Sequence, residues 1–357
     1  MKIKNIILKN FRNYTSEKAY FKEGINFLVG ENAQGKTNLL ESIYFCAMGK
    51  SPKTSKDKML ITFGQNASTI KIVFDTIAGE KSIKIDILDN KKSVQINGIN
   101  ILRLTQLIGE LNVVYFSPDE LKLVKDVPED RRHFLDISIS QFDKDYMHAL
   151  LKYEKVLKQR NCILKSGLSE KNIKEQLSLF TPQLVELGAK IIRKRIKFIE
   201  NLKVFADQMH KSLTSDETLD ITYSYNSNAE DIEKDLQTKF DSNFEKEVRL
   251  GFTLFGPHRD DMIFKVNDKD CRYYSSQGQQ RTVALSLVLA NMEIIKNEVN
   301  EYPILLLDDV MSELDKSRKD KLIRLVSNYQ TIITSTQIFD NKIPINTLKI
   351  HNGKIEK

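Results

Sequence analysis

Apolar and polar positions alternate from the start of the chain. Ile3, Ile6 and Leu8 lead to Phe11, and Ile25-Asn-Phe-Leu-Val29 follows, with the period of half-buried strands. Two more strand patterns, 70–74 and 83–88, precede Asp89-Asn90, and a short run over 93–96 ends at Asn97-Gly98. Asn-Gly between alternating runs signals a hairpin, so these stretches predict an antiparallel meander attached to the strand that ends at Val29. A buried strand is predicted over 111–116, stopped by Ser117-Pro118.

From about Glu129 the period becomes helical. Tyr146, Leu150, Tyr153 and Leu157 form one stripe, and Leu184, Leu187, Ile191, Phe198, Leu202, Phe205 and Met209 form another. They predict two long helices with a polar connection near 166–172. Arg195 stands where the second stripe expects an apolar residue, so that helix is expected to be partly exposed there. Strand character returns over 219–225 and 251–255. A helix over 282–295, a strand over 302–307, a helix over 317–329 and a strand over 331–334 then predict a parallel sheet with crossover helices. The expected division is 1–128 and 216–357 as two parts of one α/β domain, with 129–215 an inserted, compact helical lobe. These helices are too short for an extended coiled-coil arm.

Composition narrows the class. Of 357 residues, 41% are apolar and 29% charged, as in soluble globular proteins. No stretch approaches about 18 uncharged apolar residues, and Met1-Lys-Ile-Lys-Asn leads into a strand pattern rather than a cleavable signal. A cytoplasmic protein with no membrane partner is expected. Cys46, Cys162 and Cys271 are far apart and read as packing residues; five histidines lack metal-type spacing, so no metal held by Cys or His is expected. The net charge of +7 is concentrated: residues 151–211 hold 14 lysines and arginines against 6 acidic residues, a net of +8. Within it Lys190, Arg193, Lys194, Arg195 and Lys197 are the candidate contacts to the phosphates of a nucleic acid.

Candidate chemistry begins at Gly30-Glu31-Asn32-Ala33-Gln34-Gly35-Lys36-Thr37, a full match to G-x-x-x-x-G-K-[ST] between a strand pattern and a helical one. Such a loop needs glycines for its tight fold and successive N–H groups with a helix N-terminus for the anion. Lys36 would reach the β/γ-phosphates, and Thr37 would offer its hydroxyl to Mg²⁺. ATP is the expected nucleotide. The apolar run 304–307 ends at Asp308-Asp309, placing two carboxylates at the C-terminal edge of a parallel strand, where ligands of open α/β sheets bind. Asp308 is the candidate to hold Mg²⁺ and Asp309 to polarise the attacking water. Between loop and carboxylates, Ser275-Ser276-Gln277-Gly278-Gln279 opens a helix, a second surface suited to an anion.

In this order the elements resemble the head domain of ATP-binding-cassette ATPases, in the chromosome-maintenance branch that contains the SMC and RecF proteins. The resemblance implies that Ser276, Gly278 and Gln279 belong to a signature motif that contacts the γ-phosphate held by a second copy, that Ser312-Glu313-Leu314-Asp315 crosses the same interface, and that Arg12 approaches the phosphates. Phe116-Ser-Pro-Asp-Glu-Leu, Pro128-Glu-Asp-Arg131-Arg132-His-Phe-Leu-Asp136 and Gly256-Pro-His-Arg259-Asp-Asp261 narrow the likeness to the RecF family. That family implies an ATP-dependent homodimer that binds single-stranded, duplex or gapped DNA in replication, repair and the SOS response. It would act with the RecR and RecO mediator proteins. Asp309 stands where transporter-type members carry Glu, which implies slow hydrolysis. No Gln sits at the strand end before Ser117, where transporters place a Q-loop, and Thr336-Gln337 stand where they place a switch His. A transporter nucleotide-binding subunit and a small-molecule P-loop kinase are the competing readings; the first lacks a use for the basic helical lobe, the second for Ser276 to Gln279.

Overall fold

The strand Lys2–Phe11 buries Ile3, Ile6, Leu8 and Phe11 and turns polar residues outward, as its alternation requires. It sits inside a six-stranded antiparallel sheet in the order Tyr14–Tyr20, Lys2–Phe11, Ala67–Thr76, Gly79–Leu88, Lys91–Ile96, Ile99–Asn100. The meander therefore pairs with the first strand and not, as expected, with the strand before the glycine loop. Asn97 (φ 50°) and Gly98 (φ 81°) make its last turn, both in the left-handed region that such a hairpin demands. The computed structural model describes residues 1–89, 91–214, 216–225, 231–312, 314–337 and 344–356, so Asn90 of the preceding turn and Glu313 lie outside it.

The second sheet carries the site. Its order is Lys354–Glu356, Ile345–His351, Ile25–Val29, Thr331–Ser335, Ile304–Leu307, Val113–Phe116, and every neighbouring pair is parallel except the first. The central strands Ile25–Val29, Thr331–Ser335 and Ile304–Leu307 are buried throughout, the mark of a sheet covered on both faces. The helix Lys36–Met48 is buried almost all round, at Leu39, Leu40, Ile43, Phe45, Cys46 and Ala47, because it touches strands of both sheets. Its ends are set by Gly35 (φ 117°) and Gly49 (φ 65°).

By contacts the chain forms two units, 1–121 with 208–216 and 281–357, and 122–207 with 217–280. The first holds both six-stranded sheets. The second holds the helices Pro128–Ser140, Lys144–Leu164, Glu170–Leu177, most of Thr181–Thr214, Ile232–Ser242 and Phe244–Leu250, with a three-stranded sheet in the order Lys269–Asp270, Asp261–Val266, Leu219–Ser224. The sequence division gave 217–280 to the head. These residues group with the inserted helices because Leu219–Ser224 pairs along its length with Asp261–Val266, whose Asp261 is gripped by Arg131.

Two local expectations are corrected. Residues 251–255 form no strand; the Thr253 and Leu254 N–H groups donate to Asn161 Oδ1 and Glu247 Oε1, both at 2.8 Å, so side chains replace a strand partner. Cys46 and Cys271 are buried, whereas Cys162 is exposed and does not pack a core. No helix among the described residues is long and apolar enough to cross a membrane.

Candidate functional site

The glycine loop joins the buried strand Ile25–Val29 to the helix Lys36–Met48, and three neighbours hold its backbone. Tyr14 donates its hydroxyl to Gly35 O at 2.9 Å, Asn13 Nδ2 donates to Gln34 O at 3.0 Å, and Gly353 N–H donates to the same Gln34 O at 3.0 Å. Gly30 permits no larger residue, since a Cβ there would stand 2.2 Å from Ile350 O. Ala33 takes φ 63° and Gly35 φ 117°, the backbone that lets a short loop close on itself. The bracing from Asn13 and from the C-terminal hairpin was not foreseen; only the turn residues around Asn352-Gly353 hinted at it.

Lys36 is buried, and its ammonium donates to Gly30 O (2.6 Å) and Glu31 O (2.7 Å). Burial lowers its pKa below the ordinary lysine value, and Asp309 and Asp308 act to raise it, so the two carboxylates face the ammonium closely enough to be felt. Thr37 donates its hydroxyl to Asp308 Oδ1 at 2.8 Å. Asn32, Ala33, Gly35, Lys36, Thr37, Asn38, Asp308, Asp309 and Thr334 line one cavity of about 130 Å³. The parallel register makes this possible: Leu307 pairs with Ile333 on one side and Phe116 on the other, so the residue after the strand emerges at the sheet edge beside the loop.

Asp308 is buried and Asp309 is exposed. A hydroxyl and carboxylate oxygens are hard oxygen donors, the set that suits Mg²⁺. Tyr115, Thr334 and Lys53 were not singled out from the sequence, yet all reach Asp308. The Tyr115 hydroxyl is 3.3 Å from Oδ2, Thr334 Oγ1 2.9 Å from Oδ1, and Lys53 Nζ 3.8 Å from Oδ2.

Arg12 (φ 52°) grips buried Glu41 with two bonds, Nε to Oε2 at 2.8 Å and Nη2 to Oε1 at 2.7 Å, and donates from Nη1 to Met59 O at 3.0 Å. Glu41 belongs to the loop helix, so Arg12 is fixed to that helix. Ser276 and Gln279 form a reciprocal cap at the start of the helix Gln277–Val299: Gln279 N–H donates to Ser276 Oγ (3.3 Å) and Ser276 N–H to Gln279 Oε1 (3.0 Å). Ser276 is exposed, Gly278 half-buried, and Gln279 Nε2 donates to Glu217 at 2.6 Å. Ser312 donates to Asp309 O at 2.9 Å, and Asp315 caps the helix Lys316–Val326.

The basic candidates separate. Lys190, Arg193 and Lys197 are exposed on the helix Thr181–Thr214, Lys194 is half-buried, and three of these four face acids: Lys190 stands 3.8 Å from Asp145, Arg193 2.9 Å from Glu233, and Lys194 bonds Asp143. Arg195 is a correction: it is 2% exposed and has no face left for a phosphate. Its guanidinium donates to Asp136 Oδ1 (2.7 Å), Tyr146 Oη (2.9 Å) and Pro257 O (2.7 Å). Burial works against that charge, but Tyr146, Asp136 and Tyr223 hold its pKa well above the ordinary arginine value. The stripe is thus unbroken in space; an arginine with its own counter-charge fills the apolar position. Arg131 and Arg132 join the same group, Arg131 on Asp261 and Arg132 on Asp260 O at 2.8 Å, and Arg259 donates to Thr253 O at 3.2 Å.

Comparison with known proteins agrees with this geometry. Residues 2–342 match the family described as RecF/RecN/SMC N terminal domain. The chain is similar to the DNA replication and repair protein RecF of Clostridium novyi (strain NT), 42% identical over 365 residues with 100% of both chains covered. It is also similar to that of Halalkalibacterium halodurans, 42% identical over 346 residues, covering 95% of this chain and 93% of the relative. Among solved structures it is similar to the recombination mediator protein RecF in the RecFOR pathway. RecF-ATPrS gives a TM-score of 0.91 at 35% identity and RecF-ATP 0.90 at 34%, each covering 99% of this chain and 97% of the other. An Smc head domain from Pyrococcus furiosus, at 18% identity and TM-score 0.61, shares the fold over 99% of this chain and 95% of that one. Full-length similarity to RecF sets aside the transporter and kinase readings. With the family match over residues 2–342 and full-length similarity to RecF proteins in both sequence and structure, the chain belongs to the family of the DNA replication and repair protein RecF.

Proposed function

We propose that this chain binds ATP with Mg²⁺ and works as an ATP-dependent, DNA-binding switch in recombinational repair and replication restart. The observation that carries the proposal is the 2.8 Å contact of Thr37 with Asp308 in the cavity beside Lys36. RecF relatives solved with ATP and ATPrS support the choice of nucleotide.

Loop N–H groups and the Lys36 ammonium hold the phosphates, with Thr37 and Asp308 as the residues to hold the cation. When bound, Mg²⁺ supplies positive charge against the phosphate oxygens. Asp309, exposed at the cavity mouth, orients a water and takes its proton. One copy leaves that mouth open to solvent. A second copy closes it by presenting Ser276 and Gly278, the exposed Ser276 hydroxyl offering its proton to the γ-phosphate. Two heads joined in this way clamp DNA, and slow hydrolysis separates them. The exposed bases Lys190, Arg193 and Lys197 are the proposed phosphate contacts in the lobe, with half-buried Lys194 beside them. RecO and RecR are the proposed protein partners, because similar RecF proteins belong to the RecFOR pathway.

Binding to labelled single-stranded, duplex and gapped DNA with ATP or ADP present tests the proposal. Tighter binding with ATP, together with ATP turnover stimulated by DNA, supports it; equal binding with both nucleotides refutes it.

A further inference from the structure

We infer that Thr334 is a positioning residue for the nucleotide site, one hydroxyl holding both Asp308 and Asp309; the inference rests on the proposed ATP and Mg²⁺ reading of that cavity. Thr334 is buried, and its side chain lies at the sheet edge one step beyond the Leu307 and Ile333 pair. Its Oγ1 donates to Asp308 Oδ1 at 2.9 Å and accepts from the Asp309 N–H at 2.8 Å. A hydroxyl has one proton and can accept as well, so this single group serves a carboxylate and a backbone amide together.

Both halves matter to the geometry. Asp308 Oδ1 also accepts from Thr37, the residue proposed to serve the cation. Once Thr37 is so engaged, Thr334 is the donor that keeps Oδ1 in place, while Tyr115 steadies Oδ2 from the strand on the other side. Asp309 takes φ 51°, a left-handed backbone that costs free energy for any residue with a Cβ and is tolerated best by Asn and Asp. The bond from its N–H to Thr334 fixes that turn, and with it the direction in which the Asp309 carboxylate leaves the strand.

Calorimetric titration of ATP into the full chain over a series of Mg²⁺ concentrations, with steady-state ATP turnover measured alongside, tests this with the wild type, Thr334→Val and Thr334→Ser. Valine keeps the shape and removes both bonds. Thr334→Val should bind ATP without Mg²⁺ as the wild type does, need about tenfold more Mg²⁺ for the same strengthening, and lose about tenfold in kcat with KM little changed. Thr334→Ser should restore both quantities, which a purely packing role would not allow. Wild-type dependence on Mg²⁺ in Thr334→Val, or a serine variant as impaired as the valine one while both unfold at the wild-type temperature, overturns the inference alone. A wild type whose ATP binding ignores Mg²⁺ overturns the underlying site reading and the inference with it.

Discussion

Thr37 and Asp308 meet hydroxyl to carboxylate at 2.8 Å although 271 positions separate them. The contact turns two local motifs into one site, and Lys36 lines the same cavity. Lys36→Ala should leave the fold intact, because its ammonium bonds only two loop carbonyls, Gly30 O and Glu31 O, that water entering the cavity can satisfy. ATP binding should weaken at least about a hundredfold, the loss of one charge-assisted clamp on phosphate. Equilibrium dialysis with labelled ATP measures this directly.

Charge on the lobe gives a second expectation. Replacing Lys190, Arg193, Lys194 and Lys197 together with glutamine should weaken DNA binding uniformly across sequences and flatten its dependence on salt, since phosphate contacts release counterions without reading bases. Arg195→Gln should behave otherwise. It removes the counter-charge of Asp136 from a buried setting, so it should lower stability while the salt slope of the folded protein stays at the wild-type value. Fluorescence anisotropy at several salt concentrations separates the two outcomes.

A buried ion pair offers a sharper stability test. Arg160 and Glu247 are 1% and 0% exposed and bond at 2.7 Å, with Arg160 also donating to Thr253 at 2.8 Å and lying over the Phe240 ring. Arg160→Met leaves the Glu247 carboxylate buried without its partner, for an expected loss of about 3–5 kcal/mol in urea unfolding. Arg160→Met combined with Glu247→Leu should recover most of it.

Stability should also depend on His258. Burial pushes its pKa from 6.5 down to about 4, with a contact to Thr253 O opposing the shift and Arg259, Arg132 and Arg160 adding to it. The folded protein holds the ring neutral, accepting from Tyr153 at Nδ1 and donating to Thr253 O from Nε2. As pH falls through 6.5 toward 4, the unfolded chain gains a proton that the folded chain refuses. The contribution is therefore fully present above pH 6.5 and is lost toward pH 4, worth roughly 3 kcal/mol at most. Unfolding free energies of the wild type and His258→Gln, measured from pH 7.5 to 4.5, should diverge in slope across that window.

Much of this was legible in residue order, and the reason is locality. The glycine loop, its strand and its helix lie within residues 25–48, and the carboxylate pair follows four apolar residues, so short windows suffice to see them. What escaped depends on partners far along the chain. Thr334 and Tyr115 reach Asp308 through the register of parallel strands, which no periodicity reveals. Arg195 looked like a break in an apolar stripe because Asp136, Tyr146 and Pro257, which neutralise and bind it, are distant in sequence. Residues 217–280 group by contacts with the inserted helices through another long-range link, the grip of Arg131 on Asp261.

Joining of two heads over ATP is the central claim, and Ser276 is where it is most exposed to test. Ser276→Arg sets bulk and positive charge at the helix start proposed to meet the other copy's nucleotide, while leaving the loop and both carboxylates untouched. Sedimentation velocity of the wild type and this variant, each with ATP and with ADP, is the most direct measurement. The wild type should dimerise with ATP and not with ADP, and Ser276→Arg should bind ATP yet sediment as a monomer. A variant that dimerises with ATP as the wild type does would contradict the two-copy mechanism and leave a self-contained P-loop enzyme in its place.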